Sequence, residues 1–201
     1  MADLQSTITD LQNFTQGKKY NTIYADPPWR YSNKVCHGAC ENHYNTMSLA
    51  DICNLPISSL AAKDCILFLW TTYPMLQESI KVINAWGFKY KTIGFQWVKL
   101  NKNVNNVLFL QERNLFFGLG NWTRGNTEPC LIATKGKPKR IKNNISQIIL
   151  EPIGRHSQKP DIVKDKIIEL VGDLPRIELF ARQKSDGWDV WGNEVESDIT
   201  I

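Results

Sequence analysis

Much of what marks a specialised protein class is missing from this 201-residue sequence. Its longest apolar run, Cys65 to Trp70, is far shorter than the roughly 20 residues a bilayer-spanning helix needs. The opening residues, MADLQSTITD, carry acid instead of a basic and apolar leader, so no secretory signal is expected and an intracellular, cytoplasmic setting is. Gly/Ser-rich, Pro-rich and homopolymeric stretches are absent, which argues against linkers and disorder. No internal repeat is visible. The five cysteines (36, 40, 53, 65 and 130) are odd in number and lack the spacing of a small disulfide scaffold, as expected of reduced thiols. Charge of one sign is also scarce in excess: 24 Lys and Arg against 20 Asp and Glu leave +4, too mild a surplus to decide about nucleic acid.

What is present suits one globular domain spanning 1–201, with 42% hydrophobic and 22% charged residues. Strand and helix signals alternate. NTIYA (21–25) reads as a short buried strand, and Ser48 with Asp51 forms a capping-box-like start for a short helix. CILFLW (65–70) is a strand buried on both faces, followed by an amphipathic helix that opens at Pro74 and stops at Gly87. Strands are expected at 91–100, 128–134 and 176–182, a second amphipathic helix runs from Pro160 to Gly172, and WDVWGNEV closes the pattern. This alternation predicts an α/β fold with a mainly parallel sheet and helices on both faces. Ligands of such sheets gather at the carboxyl ends of strands, where Asp26 and Arg182 are expected. Residues 101–127 are too long for a plain connection and form a candidate functional loop. Lys135, Lys137, Lys139, Arg140 and Lys142 crowd another stretch, by default a solvated surface.

The segment YADPPWRY (24–31) stops the first strand abruptly. Proline fixes φ and donates no backbone hydrogen bond, so Asp26-Pro27-Pro28 sets the carbonyls of Asp26 and Pro27 outside the sheet ladder beside a carboxylate. Trp29 adds an aromatic plane. Rigid acceptors without a donor, next to an indole, suit a flat ring bearing an exocyclic NH2, such as a flipped adenine. Read alone, these four residues are equally consistent with a turn and a core tryptophan.

The remainder of the chain carries a resemblance. DPPW (26–29), YNTMS (44–48), ILFLWTT (66–72), NAWGF (84–88), WVKLN (97–101), GNWTRGNTEPCLIATKGKP (120–138), HSQKP (156–160), RIELFARQ (176–183) and GWDVWGNE (187–194) occur in the order found in the MT-A-type adenine N(6)-methyltransferases. The likeness covers about residues 20–195. It implies a Rossmann-like fold in permuted order, S-adenosylmethionine as methyl donor and the exocyclic amine of adenine as acceptor. The chain lacks a G-x-G-x-x-G fingerprint after its first strand, in keeping with that order.

Carried over by the resemblance, Asp26, Pro27, Pro28 and Trp29 form the catalytic motif. Lys159 contacts the cofactor's carboxylate, Arg182 and Gln183 approach its ribose and tail, and Asn193 with Glu194 bind ribose hydroxyls or adenine; Asp26 also borders the cofactor. Gln183 and Glu194 depart from some relatives. Without the family, Lys159 reads as a surface lysine and Glu194 as a solvated acid. On the acceptor side, Trp29 and Tyr44 wall the base, and Trp122 and Glu128 lie in a block that approaches it. The basic stretch and the 101–127 loop are then expected to grip phosphates near the site.

One local pattern competes. Cys36, His37, Cys40 and His43 are zinc-ligand types within eight residues, yet the spacing is not a strong zinc pattern and relatives carry an unrelated loop there, so no metal is expected. DNA is the expected substrate, since the chain reads as a bare catalytic domain. The alternatives are an RNA adenosine methyltransferase or a catalytically silent nucleic-acid-binding partner of this family. A homodimer or heterodimer is compatible with the small size, and no membrane association is expected.

Overall fold

The first strand forms where the sequence places it, and its buried neighbours explain its stop. In the computed structural model, which describes residues 18–30, 46–104, 109–120, 122–155 and 157–198, β1 (Tyr20–Ala25) is buried along nearly its whole length. It lies between β2 (Ala61–Trp70) and β6 (Arg176–Leu179), parallel to both. Ala25 is in register with Leu69 on one side and Leu179 on the other, so Asp26 leaves the sheet where three parallel strands end together.

The other strands are β3 (Lys89–Leu100), β4 (Thr127–Lys135), β5 (Ile148–Pro152) and β7 (Asp189–Trp191). All seven are hydrogen bonded in the order β5-β3-β4-β2-β1-β6-β7. The pairs β3–β5 and β6–β7 are parallel as well. β4 is an exception, because its far end, Gly136, lies against the carbonyl of Lys63 at the start of β2; the two strands run in opposite directions. The fold is mixed α/β with a mostly parallel seven-stranded sheet, as expected of a Rossmann-like methyltransferase fold.

The helices follow their sequence signals. Helix α1 (Leu49–Asn54) is capped by Ser48, whose hydroxyl accepts the Asp51 N–H at 3.2 Å. A single helical turn, α2 (Ile57–Leu60), follows. Helix α3 (Leu76–Ala85) is entered through a 3-10 turn containing Pro74 and is left through Gly87 at φ +79°. The buried Trp86 at its end donates its indole N–H to the Ile52 carbonyl at 2.8 Å, joining α3 to α1. Helix α4 (Ile162–Val171) stops at Gly172, φ +93°, whose N–H closes on the Ile168 carbonyl at 2.7 Å.

One strand, β5, was not expected, and the start of β2 and the end of β6 differ from expectation, each for a local reason. β5 has no periodic signal strong enough to separate IILEP from its polar surroundings. β2 begins at Ala61, four residues before the continuous apolar run, because only Ala61 of Ala61–Asp64 is buried and this stretch carries no apolar pattern to announce it. β6 ends at Leu179 because Phe180 adopts φ +62°, which turns the chain out of the ladder; Arg182 therefore sits on a loop beyond the strand end.

The described chain falls into two compact units, residues 1–92, 131–138 and 174–201 in one, 93–130 and 139–173 in the other. In the first, the core is the run Cys65–Trp70 with Ile23, Tyr24, Ala25, Ile177 and Leu179, all nearly closed to water. In the second, Phe95, Trp97, Ile149, Val163 and Ile167 are buried. No helix among the described residues is long and apolar enough to cross a membrane.

Candidate active site

The DPPW segment is held by hydrogen bonds from its own backbone and from the aromatic layer beneath it. Trp29 N–H donates to the Pro27 carbonyl at 2.8 Å, and Met47 N–H donates to the Pro28 carbonyl at 2.9 Å. The Trp29 indole, 5% exposed, donates to the Trp70 carbonyl at 3.2 Å. The buried Trp70 indole in turn donates to the Tyr24 hydroxyl at 2.6 Å. Tyr24 meets Trp188 edge-on at 5.9 Å. Loop, β2 and β1 are thereby tied into one rigid support, the arrangement a positioned acceptor set requires.

This geometry corrects two details of the sequence expectation. The Pro27 carbonyl already accepts the Trp29 N–H, because two successive prolines leave Trp29 as the nearest donor that can close the turn. A carbonyl has two lone pairs, so one direction remains for a ligand. Trp29 is seated in the aromatic layer, and little of it faces solvent. Pro27 is likewise buried, while Asp26 and Pro28 are half-buried at the rim.

The loops after β6 and β7 come together beside one another in the same unit. The Ala181 N–H donates to the Trp191 carbonyl at 2.9 Å. A Cβ on Gly192 would overlap the Ala181 carbonyl oxygen, so only glycine permits this approach. Arg182 Nε then stands 3.6 Å from Glu194 Oε1, and Arg182, Gln183, Asn193 and Glu194 are all exposed. This loop pair offers a cation, amides and a carboxylate to a polar ligand. Phe180, at positive φ and packed edge-on against Trp191 at 5.4 Å, shapes this loop pair in a way that the sequence pattern does not disclose. A bulky residue at positive φ is strained, and such strain concentrates at functional loops.

In the second unit, Glu128 opens β4 as a buried carboxylate between two lysines. Its Oε2 is 2.7 Å from Lys99 Nζ and its Oε1 is 3.1 Å from Lys159 Nζ. Burial alone would raise the Glu128 pKa, but Lys159 and then Lys99 outweigh it and hold the carboxyl below the ordinary range. Lys159 is largely buried and precedes α4, following Ser157, another residue at positive φ (61°). Lys99, a signal the sequence reading did not use, also covers the Trp97 ring at 4.9 Å. Trp122 lies on the loop before β4, 99% exposed.

The basic stretch is not where the sequence reading expected it. In the first unit, Lys137 N–H donates to Asp64 Oδ1 at 2.7 Å and Lys135 Nζ to the Ser58 carbonyl at 2.9 Å. Asp64 and Asn21, joined at 3.0 Å, mark the beginnings of β2 and β1, about 16 Å of strand away from Asp26. In the second unit, Ile141 N–H bonds the Leu170 carbonyl and Lys142 pairs with Glu169 at 2.8 Å. Those partners lie at the end of α4 opposite to Lys159, about 15 Å along the helix. In the first unit Lys135 and Lys137 stand away from Asp26, because β4 runs against β2 and delivers them to the other end; in the second, Lys142 stands at the far end of α4 from Lys159.

Tyr44 and the Cys36, His37, Cys40 and His43 cluster lie outside the described residues. Among the described residues, no three His, Cys, Asp or Glu side chains gather as a metal site.

Comparison with known proteins places the chain in a family. The MT-A70 family matches residues 20–194. The type II methyltransferase M.MunI of Mycoplasma sp. is 37% identical over 198 residues, covering 89% of this chain and 78% of that protein. The human N(6)-adenosine-methyltransferase catalytic subunit METTL3 is 28% identical over 181 residues, covering 89% of this chain and 28% of METTL3. The N6-methyladenosine RNA methyltransferase MTA1 of Pyricularia oryzae is 27% identical and is covered over 51% of its length. With its DPPW loop fixed at the joint end of three parallel strands, and with the family match running from β1 to the loop after β7, the chain belongs to the MT-A70 family.

Proposed function

We propose that this protein transfers a methyl group from S-adenosylmethionine to the exocyclic amine of adenine in DNA. The observation that carries the reading is the rigid DPPW loop: a carboxylate and a carbonyl held at the shared end of β1, β2 and β6. DNA is favoured over RNA by likeness: identity, and the share of the relative's own length that is matched, are higher with the type II methyltransferase M.MunI than with METTL3 or MTA1.

The residues present fit the donor. In the first unit, Arg182, Gln183, Asn193 and Glu194 offer complementary groups for a ribose diol and a polar tail. When bound, S-adenosylmethionine supplies an electrophilic methyl on a sulfonium. Adenine's amino lone pair is delocalised into the ring and is a poor nucleophile. Asp26 and the free direction of the Pro27 carbonyl accept its two N–H bonds, favour a more tetrahedral nitrogen and stabilise the positive charge that develops as the N–C bond forms. The methylated nitrogen is acidic and releases its proton without a strong base. Trp29 keeps the loop from yielding during the attack.

The test is incubation with labelled S-adenosylmethionine and single-stranded DNA, duplex DNA or RNA, followed by nucleoside separation. The expected product is 6-methyladenine in DNA, with Asp26→Ala lowering the rate by at least about 100-fold. Cofactor binding without 6-methyladenine on any of the three would overturn the reading and favour a silent nucleic-acid-binding partner.

A further inference from the structure

Three parts of the first unit meet on Asp198. Past β7 the chain turns back, and the Asp198 N–H donates to the Val190 carbonyl at 3.1 Å while Asp198 Oδ2 accepts the Val190 N–H at 3.0 Å. One residue thereby pairs both backbone groups at the middle of β7, on the edge of the sheet. Its other oxygen, Oδ1, accepts from the Lys184 ammonium at 2.6 Å. A second rung lies inside the turn, where the Gly192 N–H donates to Ser197 Oγ at 3.3 Å. Residues 190–198 therefore form a compact loop with joined ends.

Asn193 and Glu194 lie within that loop, and Arg182 and Gln183 directly precede Lys184. All four are exposed, so apolar packing does not set their place and ties to the backbone must. Stability alone does not account for the clasp. The side chains of Lys184 and Asp198 are 56% and 33% exposed, where an ion pair adds little. Edge protection does not account for it either, because a strand of three residues is already too short to recruit a neighbour. The adjacent carboxylate, Asp189, is engaged by the Tyr20 hydroxyl at 2.5 Å and by Lys18, which leaves Lys184 to Asp198.

We propose that Asp198 is a positioning residue for the cofactor: it holds the 192–197 turn closed on Val190 and, through Lys184, keeps the Arg182–Gln183 loop beside it, so that the groups meeting the ribose and tail are in place before the cofactor arrives. This rests on the S-adenosylmethionine reading and adds what sets the geometry of that site. Asp198 itself touches no cofactor atom in this role. A loop already ordered loses less freedom when its ligand binds, and the affinity rises by that difference.

Calorimetric titration of the full chain with S-adenosylhomocysteine tests this. Asp198→Ala is expected to bind about tenfold more weakly, the size of effect that loss of a few fixed residues produces. Asp198→Asn, whose amide oxygen can still accept the Val190 N–H, should recover part of that loss. Glu196→Ala removes an exposed carboxylate from the same loop and should bind as the parent does. Hydrogen exchange read on the same samples should be faster across 190–198 in Asp198→Ala, with the unfolding midpoint little changed. Undiminished binding by Asp198→Ala overturns the proposal. An equal loss in Glu196→Ala does so too, since the effect would then be one of net charge, as does a loss that Asp198→Asn leaves wholly unrelieved. A parent that binds no S-adenosylhomocysteine sinks the donor reading and this inference with it, whereas equal binding by the parent and Asp198→Ala sinks the inference alone.

Discussion

Glu128 shows how much a single carboxylate can organise. It is 7% exposed, and each of its oxygens faces a different lysine. Removing one member of a buried ion cluster leaves the others desolvated without compensation, a loss of about 3–5 kcal/mol. Glu128→Ala is therefore expected to lower the midpoint of urea unfolding more than any single exposed substitution. The pH sign follows from the depressed carboxyl. Its folded-state pKa lies below the unfolded value of about 4.3, so its contribution is complete above that value and fades as pH falls through the folded one. Glu128→Gln should flatten the acid limb of the stability profile below about pH 4.3, which urea midpoints measured across the acid range will detect. That Glu128 and Lys159 are candidates was legible from their sequence blocks. Their direct pairing was not, since only the tertiary fold places residues 31 positions apart on one carboxylate.

Among the elements, the sheet was the readable part and the loops at its rim were not. Continuous apolar runs and glycine stops located β1, β2, α3 and α4, since burial and helix termination act over a few neighbours. The left-handed turn at Phe180 left no signal, because nothing in a phenylalanine announces positive φ. Nor could the approach of the β6 and β7 loops be read, although it depends on a single residue. Gly192 lies against the backbone of Ala181, and Gly192→Ala would force apart the loops that carry Arg182 and Glu194. Calorimetry with S-adenosylhomocysteine should show at least about tenfold weaker binding for this variant, with a smaller effect on the unfolding midpoint than Glu128→Ala has. Unaltered binding would mean that these loops do not jointly hold the cofactor.

For the whole molecule, sequence order and spatial order diverge. Five basic residues crowd into eight positions, an arrangement that invites a nucleic-acid reading, yet strand direction sets Lys135 and Lys137 at the start of β2, away from Asp26, and Lys142 pairs at the end of α4 opposite Lys159. Simultaneous Lys137→Ala, Lys139→Ala and Arg140→Ala substitution is expected to leave turnover at saturating DNA within about twofold of the parent, as surface charge replacement away from the chemistry should. A collapse of turnover in that variant would restore the basic stretch to the site. Methyl-transfer assays with the parent and the triple variant decide between the two.

The position of β1 between β2 and β6 also has a consequence in time. Its first partner follows within tens of residues, but its second, Arg176–Leu179, is about 150 residues later in the chain. During synthesis the strand that leads into Asp26 emerges before that second partner and waits with one edge uncovered. Pairings of such long sequence separation form slowly, and an open edge invites association. The two prolines that follow β1 also supply no backbone donors with which that strand could extend into a wrong partner. The same residues that shape the acceptor cluster thus help to guard the nascent chain before the cluster exists.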